Sequence, residues 1–277
     1  MKMVERKIFV QFKKNHEEAF NYVIYFLLTI FIILCLYTSY KYISYKRYYR
    51  VPQGNVIDVS PLTGEKIQPV LNNTPANEVI YSEIQNIEEL HYLSTADIIY
   101  ESYHEDFQLP VYKAIFFGNS PLKTDNIKSI TNIPLNALAE FSFTPSPSSL
   151  PKCYDKNAEL IFLEFNTKDS SSFVFEEGKY FHMRDKVKDI DRISNKPLSV
   201  SNVIIQYVKE EDGSQINKTL SSGNAIICSG GKFTKATWSN NGDNPTKLLD
   251  LSGENIKLVN GQSWWITVKE GTAVIIN

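Results

Sequence analysis

Cysteine is scarce, with three in 277 residues, and Cys35, Cys153 and Cys228 sit at spacings that match no zinc or redox pattern. A disulfide-stapled scaffold is thereby excluded. Cys228 lies in the apolar run Ala225-Ile226-Ile227-Cys228 and reads as strand core, so two free, partly buried thiols are the first reading. A single Cys153–Cys228 bridge stays open for a body that faces an oxidising compartment. Also missing are a phosphate-cradling Gly-rich loop, a nucleophile elbow and any Cys/His metal spacing, so the sequence implies neither a cofactor nor a metal. Nor is there an excess of positive charge. Lys and Arg number 29 against 31 for Asp and Glu, which leaves no whole-chain footprint for nucleic acid.

The near-zero net charge hides an asymmetry. Residues 1–50 hold nine basic and three acidic residues, which leaves twenty basic against twenty-eight acidic in 51–277. A basic head joins an acidic body, and with 43% hydrophobic content the chain has enough apolar surface for one or two cored domains.

From Phe20 to Tyr40 no Asp, Glu, Lys or Arg occurs in 21 residues. At ~1.5 Å per residue that run spans about 31 Å, the thickness of a bilayer's hydrocarbon core. Twelve of its positions are Leu, Ile, Val or Phe, which together favour insertion by about 4–7 kcal/mol. Tyr37, Tyr40, Tyr42, Tyr45, Tyr48 and Tyr49 stand beside Lys41, Lys46, Arg47 and Arg50, as amphipathic rings and snorkelling cations do at an interface. The pattern predicts a basic cytoplasmic head over 1–19 and a transmembrane anchor over 20–43. Five cations before the span and four after it barely discriminate orientation; the segment's place near the N-terminus, as in a signal-anchor, puts the body on the extracytoplasmic side. The residues after the run offer no small-x-small cleavage site, and Leu34 precedes Cys35 where lipidation needs a small residue. An uncleaved single-pass anchor is expected.

Beyond the anchor, Pro and Gly over 44–64 predict a stalk. Three prolines and three serines within 144–151 predict an extended linker over 144–152. The linker would divide the body into a small α+β unit, 65–143, and a second unit, 153–277. In the first, 84–93 and 127–141 carry helix-compatible spacing, whereas 97–101 and 111–117 read as strands. The second reads as a run of strands with hairpin-sized turns: 225–229 with 233–238 across Gly230-Gly231, and 264–268 with 273–276 across Glu270-Gly271. The expected fold is α+β and predominantly antiparallel β, with the second unit a β-meander shaped as a sandwich or a strongly curved sheet.

Chemistry-bearing residues are few. Glu101, His104, Glu105 and Asp106 cluster, and a carboxylate beside an imidazole suits acid/base work, yet a solvated strand end explains them as well. His182 alternates with Tyr180 and Arg184 opposite Phe181 and Met183, which a polar sheet face explains without a ligand. Of the adjacent Trp264 and Trp265, one is expected to point outward and the other to pack inward.

Several segments in order carry a resemblance. Pro61-Leu62-Thr63-Gly64, Ala96-Asp97-Ile98-Ile99-Tyr100-Glu101, Tyr112-Lys113-Ala114-Ile115-Phe116, Asn202-Val203-Ile204-Ile205-Gln206-Tyr207, Ala236-Thr237-Trp238 and Gly261-Gln262-Ser263-Trp264 resemble the YerB-type cell-envelope proteins of Gram-positive bacteria, a two-domain family of unknown function. Lys128-Ser129 falls where that family carries an Arg-Ser pair. The resemblance implies an anchored extracytoplasmic protein whose first domain is shortened here. It makes Asp97, Glu101, Lys128 and Ser129 the residues to examine for ligand contact. The first functional reading is a non-catalytic envelope protein that binds a protein partner or a cell-wall component. The alternative is a wall-directed hydrolase or transferase that uses Glu101 with His104 or Asp106.

Overall fold

The computed structural model describes residues 21–22, 24–44, 55–81, 90–104, 109–118, 127–165, 169–184, 186–209, 221–240 and 245–277. It divides into two compact units, Met1–Pro52 and Gln53–Asn277.

In the first unit, Ile24–Ser44 is one continuous helix of 21 residues, exposed along its whole length. Its hydroxyls find partners within the helix: Thr29 Oγ1 donates to the Tyr25 carbonyl at 2.8 Å and Thr38 Oγ1 to that of Cys35 at 3.0 Å. Such internal satisfaction is what a lipid environment requires of polar groups. Lys41 Nζ lies 5.9 Å from the centre of the Tyr37 ring, which joins a cation to an aromatic near the helix's exit. This single long apolar helix is consistent with a membrane anchor that places the bulk of the chain extracytoplasmically.

The second unit is built from strands. It opens with β1 (Val56–Val59), β2 (Lys66–Leu71), β3 (Ala76–Tyr81), β4 (Ile98–His104), β5 (Leu109–Phe116), β6 (Ile127–Ile133) and β7 (Ser142–Thr144). There follow β8 (Lys156–Asn157), β9 (Leu160–Glu164), β10 (Ser170–Glu176), β11 (Lys179–Arg184), β12 (Val187–Lys188), β13 (Ile190–Asp191), β14 (Lys196–Pro197) and β15 (Ser199–Val200). The remainder are β16 (Asn202–Val208), β17 (Ser221–Ser229), β18 (Lys232–Asn240), β19 (Lys247–Asp250), β20 (Lys257–Val259), β21 (Ser263–Lys269) and β22 (Ala273–Ile276).

A ten-stranded sheet runs β19-β18-β17-β16-β21-β4-β5-β3-β6, with β8 beside β18; a six-stranded sheet runs β12-β11-β10-β9-β22, with β15 beside β11. One apolar cluster takes Ile99, Val203, Trp264 and Ile266 from the first sheet and Ile161, Leu163, Phe173 and Tyr180 from the second, so the two sheets enclose a core between them. The ten-stranded sheet has a second cluster on its other face, where Ile98, Ile115, Ile204 and Trp265 meet Leu62, Leu138, Tyr154 and Leu258. Covered on both faces, its central strands carry continuous apolar runs: six of the seven side chains of β16 are buried. The fold is α+β and predominantly antiparallel, with parallel pairing where β21 sits between β16 and β4.

The hairpin expected across Gly230-Gly231 forms, and β10 and β11 form another across Glu177-Gly178. Glu177-Gly178 and Gly230-Gly231 have φ of 52° and 81°, and 57° and 78°, the left-handed pairs that tight β-turns require. The last expected hairpin does not form. β21 takes β16 and β4 as its two neighbours and has no edge left for β22, which pairs with β9 in the other sheet.

Residues 127–133 are a strand where the spacing predicts a helix. The register against β3 shifts between Ile80 and Tyr81, so that Tyr81 faces Ile127 and Ile80 faces Ser129. This bulge lets Ile127 and Ile130, three apart, pack on the same apolar cluster. The other predicted helix, 84–93, lies mostly outside the described residues.

The Pro/Ser segment is packed in place. β7 pairs with β20, Pro147–Ser149 form a 3-10 turn, and Pro147 with Leu150 covers Gly230 so closely that a Cβ there would come 2.8 Å from Pro147 Cβ. Residues from both sides of 144–152 share both clusters, so this break in composition does not divide the core. Of the expected stalk, 55–64 belongs to the body, with Ser60, Leu62 and Thr63 buried. Cys153 and Cys228 are free thiols that belong to different clusters, and burial pushes the Cys228 thiol well up.

Candidate functional site

Strand alternation carries Glu101 of β4 to the same face as Ile99, into the core between the sheets, where it is 2% exposed. Its carboxylate accepts three hydrogen bonds. Tyr112 of β5 donates to Oε1 at 3.0 Å, and Trp264 Nε1 of β21 and Ser171 Oγ of β10 donate to Oε2 at 2.8 and 3.0 Å. The chain of contacts continues through Ser171 Oγ to His182 Nε2 of β11 at 3.0 Å and from His182 Nδ1 to Asp189 Oδ2 at 2.6 Å. Aromatic rings enclose it: the His182 and Trp264 planes stack 1° from parallel at 4.5 Å, and Phe173 meets both edge-on.

The order Ser171 Oγ, His182 Nε2, His182 Nδ1, Asp189 is that of a hydrolytic triad. What it lacks is access: Ser171, His182 and Asp189 are 0%, 2% and 3% exposed. Arranged this way, the residues join the ten-stranded sheet, through Glu101, Tyr112 and Trp264, to the six-stranded sheet, through Ser171 and His182.

A second buried polar node lies at the start of β16. Asn202 Nδ2 donates to the Val259 carbonyl at 2.9 Å, Ser229 Oγ donates to Asn202 Oδ1 at 2.6 Å, and the Val259 N–H reaches Ser229 Oγ at 2.9 Å. Nearby, Gln262 Nε2 donates to the carbonyls of Ser94 and Ala96 at 3.0 and 2.7 Å, and Gly261 N–H donates to Thr63 O at 2.7 Å. The segments that carry the family resemblance thus hold the interior together.

The sequence-predicted site residues do not converge. Asp97 Oδ2 accepts the Phe117 N–H at 2.6 Å, apart from the Glu101 chain. Lys128 is exposed and Ser129 half-buried at the bulge of β6, and β5 and β3 lie between β6 and β4; with strands ~4.8 Å apart that puts the two backbones about 14 Å apart. Position 104 has the opposite parity to 101 in β4, and Asp106 lies outside the described residues. Among the described residues no group of three or more His, Cys, Asp or Glu could hold a metal ion.

The face assigned to His182 from sequence is reversed: Tyr180 and His182 point into the core, while Phe181 and Met183 are half-buried. Trp264 and Trp265 are both buried, one in each cluster, because the sheet is covered on both sides. Sequence reading missed Ser171 and Asp189. The usable signal was alternation: Ser171 and Phe173 share one face of β10, as Tyr180 and His182 share one of β11.

Burial pushes the Asp97 carboxyl up from its ordinary 3.8 to about 6; the Glu65 charge adds to this and the Phe117 N–H opposes it. Between pH about 4 and 6 the folded chain therefore holds a proton that the unfolded chain has released, so stability falls as pH rises through that window. Asp97→Asn keeps an acceptor for Phe117 and removes the charge. We expect it to flatten this slope and to raise stability at pH 7 by about 1–3 kcal/mol in urea unfolding. A slope that persists in the variant would assign the titration to another group.

Fold and site define a membrane-anchored β-sandwich with its richest polar constellation sealed inside. Residues 161–265 match the family described as "Protein of unknown function (DUF3048) C-terminal domain". The fold is similar to that of the YerB protein from Bacillus subtilis, known from a crystal structure, with a TM-score of 0.58 and 14% identity over 78% of this chain and 99% of that chain. No curated protein matches. The family match is confined to residues 161–265, and the likeness to the YerB protein is one of fold.

Proposed function

We propose that this chain is a non-catalytic envelope protein whose anchored body binds a protein partner or a cell-wall component. The observation that carries this reading is the burial of Glu101, Ser171 and His182, at 2%, 0% and 2% exposure. A polymeric wall substrate needs an open cleft in which nucleophile and base can reach the scissile bond. Here three neutral donors and an imidazole chain occupy the carboxylate instead.

The test is incubation of the full chain, in detergent, with purified cell wall. We expect no release of soluble fragments above background, with or without the substitution Glu101→Gln. Turnover by the unsubstituted chain that Glu101→Gln abolishes, while the variant stays folded, would establish the hydrolase reading instead.

A further inference from the structure

Between β11 and β15 the described carboxylates, Asp189 and Asp191, turn inward, while cationic and aliphatic side chains face outward. Asp189 is buried against His182, and Asp191, 1% exposed, accepts from Ser94 Oγ at 2.8 Å and from the N–H groups of Ser94, Ile193 and Ser194. The exposed surface of this stretch carries the cations Lys186, Arg192 and Lys196, the neutral Asn195 and Pro197, and Val187, Ile190 and Ile193 at 67%, 42% and 52% exposure. Lys188 is neutralised by Glu176 at 2.6 Å; Asp185 lies outside the described residues. This runs against the composition of 51–277, which has eight more acidic than basic residues.

A surface that offers cations and aliphatic side chains within one short stretch fits the boundary between headgroups and acyl chains. There the ammonium groups meet phosphate and the aliphatic groups leave water. A soluble polyanion would engage the lysines and gain nothing from Val187, Ile190 and Ile193. An anchored body also meets the bilayer at high effective concentration, so modest contacts suffice to hold it there. We propose that the 186–197 surface docks on anionic phospholipid.

Three variants of the full chain, reconstituted in lipid nanodiscs, test this. Ile193→Trp places a fluorophore on the surface, whereas Trp238, Trp264 and Trp265 are buried. Leu251→Trp, at a position 76% exposed in the β19–β20 turn, is the control. In discs of phosphatidylcholine with phosphatidylglycerol and brominated acyl chains, Ile193→Trp emission should be blue-shifted and quenched. The effect should vanish in wholly phosphatidylcholine discs and at about 1 M salt, where the Debye length is about 3 Å. Adding Lys186→Asn, which suits the left-handed φ of 68° there, together with Lys196→Gln should lower the docked-to-free ratio roughly 25-fold, about fivefold per cation. Equal quenching of Leu251→Trp, quenching that ignores lipid charge, no quenching at all, or an emission shift produced by soluble polyphosphate alone would each overturn the proposal.

Discussion

Replacing Glu101 with Ala is expected to destabilise the body by about 3–5 kcal/mol, because the Tyr112 hydroxyl, the Trp264 N–H and the Ser171–His182 chain lose their common acceptor in a dry core. For a domain of this size that corresponds to a fall in Tm of roughly 10 °C. Glu101→Gln should cost less, about 1–3 kcal/mol. Its amide oxygen still accepts, but its NH2 meets donors where the second carboxylate oxygen stood. Denaturant unfolding followed by Trp fluorescence reads both variants. The ordering Ala worse than Gln is specific to a hydrogen-bonding role. A group kept for chemistry would lose activity equally in both with little change in stability.

Gly261→Ala should be of comparable size. Gly261 has φ of 125°, and a Cβ there would overlap Ser201 Oγ and lie 2.9 Å from Ser201 Cβ. The backbone conformation alone costs a side-chain-bearing residue about 1–3 kcal/mol, and the overlap forces either Ser201 or the turn to move. That turn sets Gln262 on the Ser94 and Ala96 carbonyls and starts β21, so displacement reaches Trp264 and the Glu101 chain. We expect a loss of about 3–5 kcal/mol in denaturant unfolding. Gly178→Ala, in a hairpin turn with φ of 81° and open space around its Cβ, should cost only about 1–2 kcal/mol. Similar losses in the two variants would mean that left-handed geometry, and not the close approach to Ser201, sets the cost.

Much of the architecture is legible in residue patterns because those patterns answer to local rules. A run of 21 residues without a charged group has few solutions other than a long apolar helix, and Gly230-Gly231 between β-rich runs has few other than a tight hairpin. The misreadings come from tertiary context. Ile127 and Ile130 look helical because a bulge, invisible in composition, brings both to one face. β21 and β22 look like a hairpin because their connection is short, yet β21 is claimed on both sides by β16 and β4. Trp265 was free to face solvent until the β1–β2 hairpin and the Pro/Ser segment covered that face. The polar chain failed to show itself for a related reason. Ser171, His182 and Asp189 are separated from Glu101 by at least seventy residues, and only the stacking of the two sheets brings their side chains within hydrogen-bonding distance.

Within the matched stretch 161–265, Asn202, Gln262, Ser263 and Trp264 are bonded to interior groups, as is Glu101 in the segment that precedes it. Bonds of that kind hold the sandwich closed. The surface is then left to define what the body meets, and the basic, aliphatic stretch around Ile193 is one such surface.

The most direct test of this account sets Glu101→Gln beside the unsubstituted chain in two assays on the same preparations, unfolding free energy and fragment release from purified wall. The sealed-network account predicts a lower unfolding free energy for the variant and the same background-level release from both. Unchanged unfolding free energy, with release that the unsubstituted chain produces and the variant does not, would contradict it.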